Sequence, residues 1–135
     1  MTDSFIAGTV FFAKDMDAMA GFYSAVAGLR ENQRGSDFVL LEHGGFELVV
    51  HAIPKRIAAS IVIAKPARRR EGTPIKPVFL VRSIGAVRPL VAELGGELNP
   101  PEREMRFRGW SACDGHDPEG NVFQLRERAP EKAGV

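Results

Sequence analysis

The sequence predicts an α+β domain made of two tandem β-α-β-β-β modules, and three observations carry that prediction. The first is an internal repeat. "VFFAKDMDAMAGFYSAVAGLR", from Val10, aligns without a gap on "VFLVRSIGAVRPLVAELGGEL", from Val78. Val10 and Phe11 meet Val78 and Phe79, Ala18 meets Ala86, and Gly28 meets Gly96. The second is that each copy opens on a β-branched and aromatic run and then switches to helical spacing. The third is that strand signals punctuated by turn residues follow each copy.

In each copy the helix has a start and a stop. Asp15 and Ser83 stand where an N-cap oxygen accepts from first-turn amides. Met19, Phe22, Tyr23 and Val26 recur as the buried stripe, with the Tyr23 hydroxyl expected to reach the surface. Gly28 and Gly96 suit the left-handed position past the helix end, and Pro89 should bend the second helix. "DFVLLEHGGFELVVHAI" reads as a hairpin turning at His43-Gly44-Gly45. In "DPEGNVFQL", Asp117-Pro118-Glu119-Gly120 suits a type I turn before the last strand. Module one therefore spans about residues 4–53 and module two about 76–127. The joining segment, 54–75, has prolines at both ends. Its Ile57, Ile61 and Ile63 predict a short helix or strand over an opening.

A chain of 135 residues fits one domain, here 1–135, able to bury its own core. Apolar residues at 44% and charged residues at 26% are ordinary for a globular protein. Eighteen Lys and Arg against seventeen Asp and Glu leave a net charge of +1, too small to favour nucleic acid. The basic run "ARRRE" reads as a solvated loop. Cys113 is alone, which fits a reducing compartment. The start, with Asp3 and no basic flank before a short apolar run, is neither a signal peptide nor a membrane span. A cytoplasmic protein without a membrane partner is expected.

The duplicated "FFAKDMDAMAGFYSAVAGL" unit and the closing "DPEGNVFQL" resemble the vicinal oxygen chelate superfamily. That group holds glyoxalase I, bleomycin-resistance proteins and extradiol dioxygenases. The resemblance implies a single glyoxalase-like domain with a curved mixed sheet around a cleft. It also implies that enzyme members hold a divalent metal through His and Glu on the first and last strands of each module. Carried onto this sequence, those positions fall on Gly8, His51, Lys76 and Gln124. Glycine brings no ligand, a lysine ammonium has no lone pair, and Gln124 offers one neutral oxygen. Only His51 is a good donor, where zinc sites want three or four ligands and non-haem iron wants two His and a carboxylate. No metal and no other cofactor is expected.

Strand alternation adds Phe12, Val49 and either Phe107 or the pair Arg106 and Arg108 to the same cleft, with Trp110 as a candidate wall. The alternate set, Phe11, Val50, Phe79, Phe123 and Leu125, should pack under the helices. An apolar hollow with the handles His51, Lys76 and Gln124 suits a small, partly aromatic ligand, with Lys76 or an arginine attracting an anionic group. The resemblance leaves room for this, since bleomycin-resistance-like members bind their drug without metal, and it implies a homodimer. The expectation is a metal-free binding protein, protective or sequestering. The alternatives are an enzyme, metal-dependent or using His51 for acid-base work, and an interaction module whose cleft is filled by its own side chains.

Overall fold

The computed structural model describes residues 5–130. The expected start of module one near residue 4, and Asp3, lie outside them. Module one runs β1 (Ala7–Ala13), α1 (Met16–Ala27), β2 (Arg30–Arg34), β3 (Phe38–His43) and β4 (Phe46–Ala52). A one-turn helix, α2 (Lys55–Ala58), opens the joining segment. Module two follows as β5 (Val78–Leu80), α3 (Ile84–Glu93), β6 (Glu97–Leu98), β7 (Met105–Phe107), β8 (Trp110–His116) and β9 (Val122–Arg128). The repeat is thus borne out, with β7 as an extra hairpin strand against β8.

The two modules share one topology. Their sheets run β1-β4-β3-β2 and β5-β9-β8-β6, and in each the first strand lies parallel to the last. They form two separate sheets rather than one continuous curved sheet within the chain. Both helix caps form as the sequence predicts: Asp15 accepts from the Ala18 amide at 3.0 Å and Ser83 from the Ala86 amide at 3.1 Å. Gly28 ends α1 at φ 68°. After α3 the left-handed residue is Gly95 (φ 94°), not Gly96. Gly96 is needed for a different reason: a Cβ there would stand 2.5 Å from the His116 carbonyl oxygen. Pro89 lies inside α3, where it can donate no backbone hydrogen bond.

Alternation places Val39 and Leu41 of β3, Leu48 and Val50 of β4, Phe79 of β5, and Phe123 and Leu125 of β9 in one core with the α1 stripe. Tyr23 is its hub. Its ring centroid lies 5.2 Å from Phe11 and 5.1 Å from Phe22 in module one, and 5.4 Å from Phe79 and 6.0 Å from Phe123 in module two. The Tyr23 hydroxyl does not reach the surface. It donates to Asp117 Oδ2 at 2.7 Å inside the core, because the DPEG turn folds inward over α1.

The same turn locks the modules together through the Glu119 carboxylate. Glu119 accepts from the Lys14 and Asp15 amides at 2.9 and 2.8 Å, just ahead of α1. Gly120 donates to the Asp117 carbonyl at 2.9 Å, closing the predicted turn. The joining segment is held there too, through Arg70, whose amide donates to the Gly120 carbonyl at 2.9 Å. Ile61 and Ile63 are half-buried and Ile57 is half-exposed, so beyond α2 the segment adds neither helix nor strand up to β5.

Candidate functional site

With Phe123 and Leu125 turned into the core, β9 must turn Gln124 and Arg126 outward. Register then selects their neighbours. Gln124 sits opposite Asp114 of β8 and Val78 of β5, and Arg126 opposite Ala112 and Leu80. A continuous polar chain results. Lys76 Nζ donates to Asp114 Oδ2 at 2.8 Å, Gln124 Nε2 donates to Asp114 Oδ1 at 3.0 Å, and Arg126 Nε donates to Gln124 Oε1 at 2.7 Å. The Arg126 guanidinium carbon lies 5.1 Å from the centre of the Phe107 ring. A buried amide among apolar residues is thereby explained. An amide suits the place because it donates from its nitrogen to a carboxylate and accepts at its oxygen from a guanidinium while staying neutral.

Turn geometry settles the orientation of β7. Arg108 (φ 51°) and Gly109 (φ 81°) form the turn, and Phe107 pairs with Trp110. Phe107, not Arg106 or Arg108, joins the outward face, with Met105 beside it. Trp110 stands on that face half-buried, with the Arg128 guanidinium 4.5 Å from its ring. Of the predicted residues, Lys76, Gln124, Phe107 and Trp110 are therefore brought onto one surface.

Phe12, Val49 and His51 share the outward face of the other sheet. Phe12 pairs with His51 in register, and their rings lie 5.6 Å apart. His51 Nδ1 donates to the Ala52 carbonyl at 2.9 Å, since a carbonyl only accepts, and Nε2 lies 3.7 Å from Asp37 Oδ2. Both sheets turn their other faces to the common core. Within one chain the His51 face and the Gln124 face thus lie on separate sheets and not in a single hollow.

Register also corrects the pairing of positions between modules. Val10 pairs with Val49, and its repeat partner Val78 pairs with Gln124, so the counterpart of Gln124 is Val49. His51, opposite Phe12, corresponds instead to Arg126, opposite Leu80. The positions implied by the resemblance would then read Gly8, Val49, Lys76 and Gln124, with a single neutral oxygen and an ammonium. Two carboxylates border them in register, Glu47 opposite Gly8 and Asp114 opposite Gln124, and Lys76 and Gln124 already occupy both oxygens of Asp114. Among the described residues no group of three or more His, Cys, Asp or Glu gathers as metal ligands. These donors do not fit the divalent ion of the metal-dependent enzymes.

Asp114 is the residue that sequence reasoning missed. The DPEG turn carries the signal that finds it, because fixing that turn sets His116 opposite Val122 and hence Asp114 opposite Gln124. Cys113, its neighbour, is buried on the core side. Burial pushes its thiol pKa up, which disfavours a thiolate nucleophile. His116 is buried as well, its Nδ1 donating to the Asp117 carbonyl at 3.0 Å. A groove of about 870 Å³ runs along β5, lined by Gly28, Phe46, Val78, Leu80, Arg82 and Arg128 among others, and it includes neither His51 nor Gln124. No described helix is long and apolar enough to cross a membrane.

No protein-family model matches the chain, and no curated protein does. Solved structures do. A glyoxalase/bleomycin resistance protein/dioxygenase family enzyme from Burkholderia phytofirmans is similar at 23% identity and a TM-score of 0.63, over 90% of this chain and 96% of that one. The fosfomycin resistance protein FosX from Listeria monocytogenes is similar at 17% identity and 0.63, over 90% and 91%. A bleomycin resistance determinant encoded on transposon Tn5 gives 16% and 0.58, over 91% and 97%. Each aligns nearly end to end, through both modules. The chain therefore has the glyoxalase/bleomycin-resistance fold, the fold of the vicinal oxygen chelate superfamily.

Proposed function

We propose that this protein binds a small, partly aromatic molecule without a metal, in clefts that two copies of the chain build together, and that it acts by sequestering or protecting in the cytoplasm. The observation that carries this is the outward face of module two: a polar chain linked by three side-chain hydrogen bonds and set among exposed Val78, Leu80, Met105 and Phe107. Small-molecule sites have that make-up, a mostly apolar wall with a few fixed polar groups. The face of module one offers Phe12, Val49 and His51 as the opposing wall. The resistance proteins named above lend support, because their names attach this fold to antibiotics.

A screen of metabolites and aromatic antibiotics by thermal shift tests the proposal, with EDTA present throughout. The expected result is a stabilising ligand whose binding survives chelation and weakens about tenfold in His51→Ala, roughly the loss of one well-placed contact. Binding that vanishes with EDTA, or no ligand from either class, overturns it.

A second reading, acid-base catalysis by His51, has one observation in its favour. With Nδ1 committed to the Ala52 carbonyl, Nε2 is the nitrogen available to a substrate. Turnover of a bound compound that is lost in His51→Ala would favour this reading.

A further inference from the structure

We infer that Arg126 is a pre-set receptor for a carboxylate, so that the ligand of the proposed site is an anion whose planar oxyanion group is joined to an apolar or aromatic body. This rests on the small-molecule reading above and sharpens it.

Three cations stand on the module-two face: Arg128 lies over Trp110 with no hydrogen bond to fix it among the described residues, and the two in the polar chain, Lys76 and Arg126, differ in what remains free. The Lys76 ammonium is committed to Asp114 at 2.8 Å, an ion pair whose charges cancel. Arg126 is held differently. Its Nε is tied to Gln124 Oε1 at 2.7 Å and its planar group lies over Phe107 at 5.1 Å, which fixes the direction of the guanidinium. Among the described residues its two Nη groups have no partner. With Lys76 and Asp114 cancelling and Gln124 neutral, the polar chain keeps one net positive charge, and it resides on that open edge.

A guanidinium with a free Nη edge donates two parallel hydrogen bonds to a carboxylate, a geometry that an ammonium cannot match. Fixing it beforehand removes much of the entropy lost on binding. The residues beside it set the rest of the ligand. Leu80, opposite Arg126 in register, is 58% exposed, and Met105 and Phe107 are 47% and 37% exposed. An apolar body lying on those side chains places its carboxylate at the Nη edge. Lys76 is then a positioning residue: through Asp114 and Gln124 it holds the amide that holds Arg126.

Titration with benzoate and with its neutral analogue benzamide tests this, following NMR shifts of the full chain. Benzoate should bind about tenfold more tightly than benzamide, with the Arg126 Nε–H resonance among those that move. Arg126→Gln should bring that ratio to about one, by weakening benzoate far more than benzamide. Arg126→Lys, which keeps the charge but loses the fork, should recover only part of it. Circular dichroism and melting of each variant check that the fold is intact. Equal binding of both compounds, or a preference that survives in Arg126→Gln, overturns the assignment of Arg126 and leaves the small-molecule site standing. If neither compound binds but the thermal-shift screen yields a neutral ligand, the anion class is likewise overturned. Failure of the screen and of both compounds overturns the two together.

Discussion

Asp117 is fully buried yet has no counter-ion among the described residues; five hydrogen bonds supply what water would have given it. It accepts from the Tyr23 hydroxyl, the Glu119 and Asn121 amides, and twice from the Asn121 side chain. Burial holds its pKa above the ordinary carboxylate value, and the Tyr23 hydrogen bond pulls the other way. Tyr23→Phe should therefore raise the Asp117 pKa further and destabilise the fold by roughly 2 kcal/mol near neutral pH, the usual size of a hydrogen bond to a charged group. The sign with pH follows from linkage. A carboxyl whose folded pKa is raised contributes stability that is complete below the unfolded value and is lost as pH rises through the folded one. The deficit of Tyr23→Phe should thus shrink on acidification, when Asp117 is neutral in both proteins. Urea unfolding at several pH values, with carbon NMR of the Asp117 carboxyl, reads both effects; a deficit independent of pH would contradict them. Sequence spacing placed Tyr23 on the buried stripe correctly. It misplaced the hydroxyl because the partner, Asp117, lies in the other module, and no local pattern joins them.

Turn chemistry was legible where it is local. Asp15 and Ser83 as caps, Gly44-Gly45 as a hairpin and Asp117 to Gly120 as a turn each follow from what those side chains do to their own backbone. What the joining segment does was not legible, because the backbone of residues 68–70 meets the DPEG turn across a gap in sequence. Gly120 shows the difference between the two kinds of constraint. Gly28 and Gly120 both have positive φ, 68° and 88°, but a Cβ on Gly28 meets nothing within 4 Å while one on Gly120 would lie 2.0 Å from the Arg68 carbonyl oxygen. Gly28→Ala should cost only the left-handed backbone penalty, roughly 1 kcal/mol. Gly120→Ala adds a backbone collision that requires the joining segment to move, and should cost on the order of 3 kcal/mol. Melting temperatures of the two variants check this; equal losses would mean that residues 68–70 are not held against the turn.

At the scale of the molecule, strand alternation separated inner from outer residues correctly on both sheets. Phe11, Val50, Phe79, Phe123 and Leu125 pack inward, while Phe12, Val49 and Lys76 face out; on β7, whose register alternation left open, Phe107 faces out. Alternation cannot say which sheets face each other, and the inference of one shared hollow failed on that point. The consequence is a chain with two outward faces, each carrying exposed apolar side chains on its parallel edge strand: Val10 and Phe12 on β1 at 51% and 61%, Val78 and Leu80 on β5 at 42% and 58%. Edge strands with that much apolar surface call for a covering partner. In the proposed dimer the β1 face of each chain would meet the β5 face of the other twice by symmetry, setting the face of His51 against that of Gln124 and Arg126. Sedimentation velocity at micromolar concentration should therefore give a dimer. Leu80→Glu should give a monomer that melts within about 0.5 kcal/mol of the stability expected for the isolated chain, since Leu80 contributes little to the chain's own core. It should also lose the ligand found for the parent protein, because half of each cleft would be missing and because Glu at position 80 stands opposite Arg126 in the ligand wall. A parent that sediments as a monomer and still binds would place the whole site on module two and remove Phe12, Val49 and His51 from it.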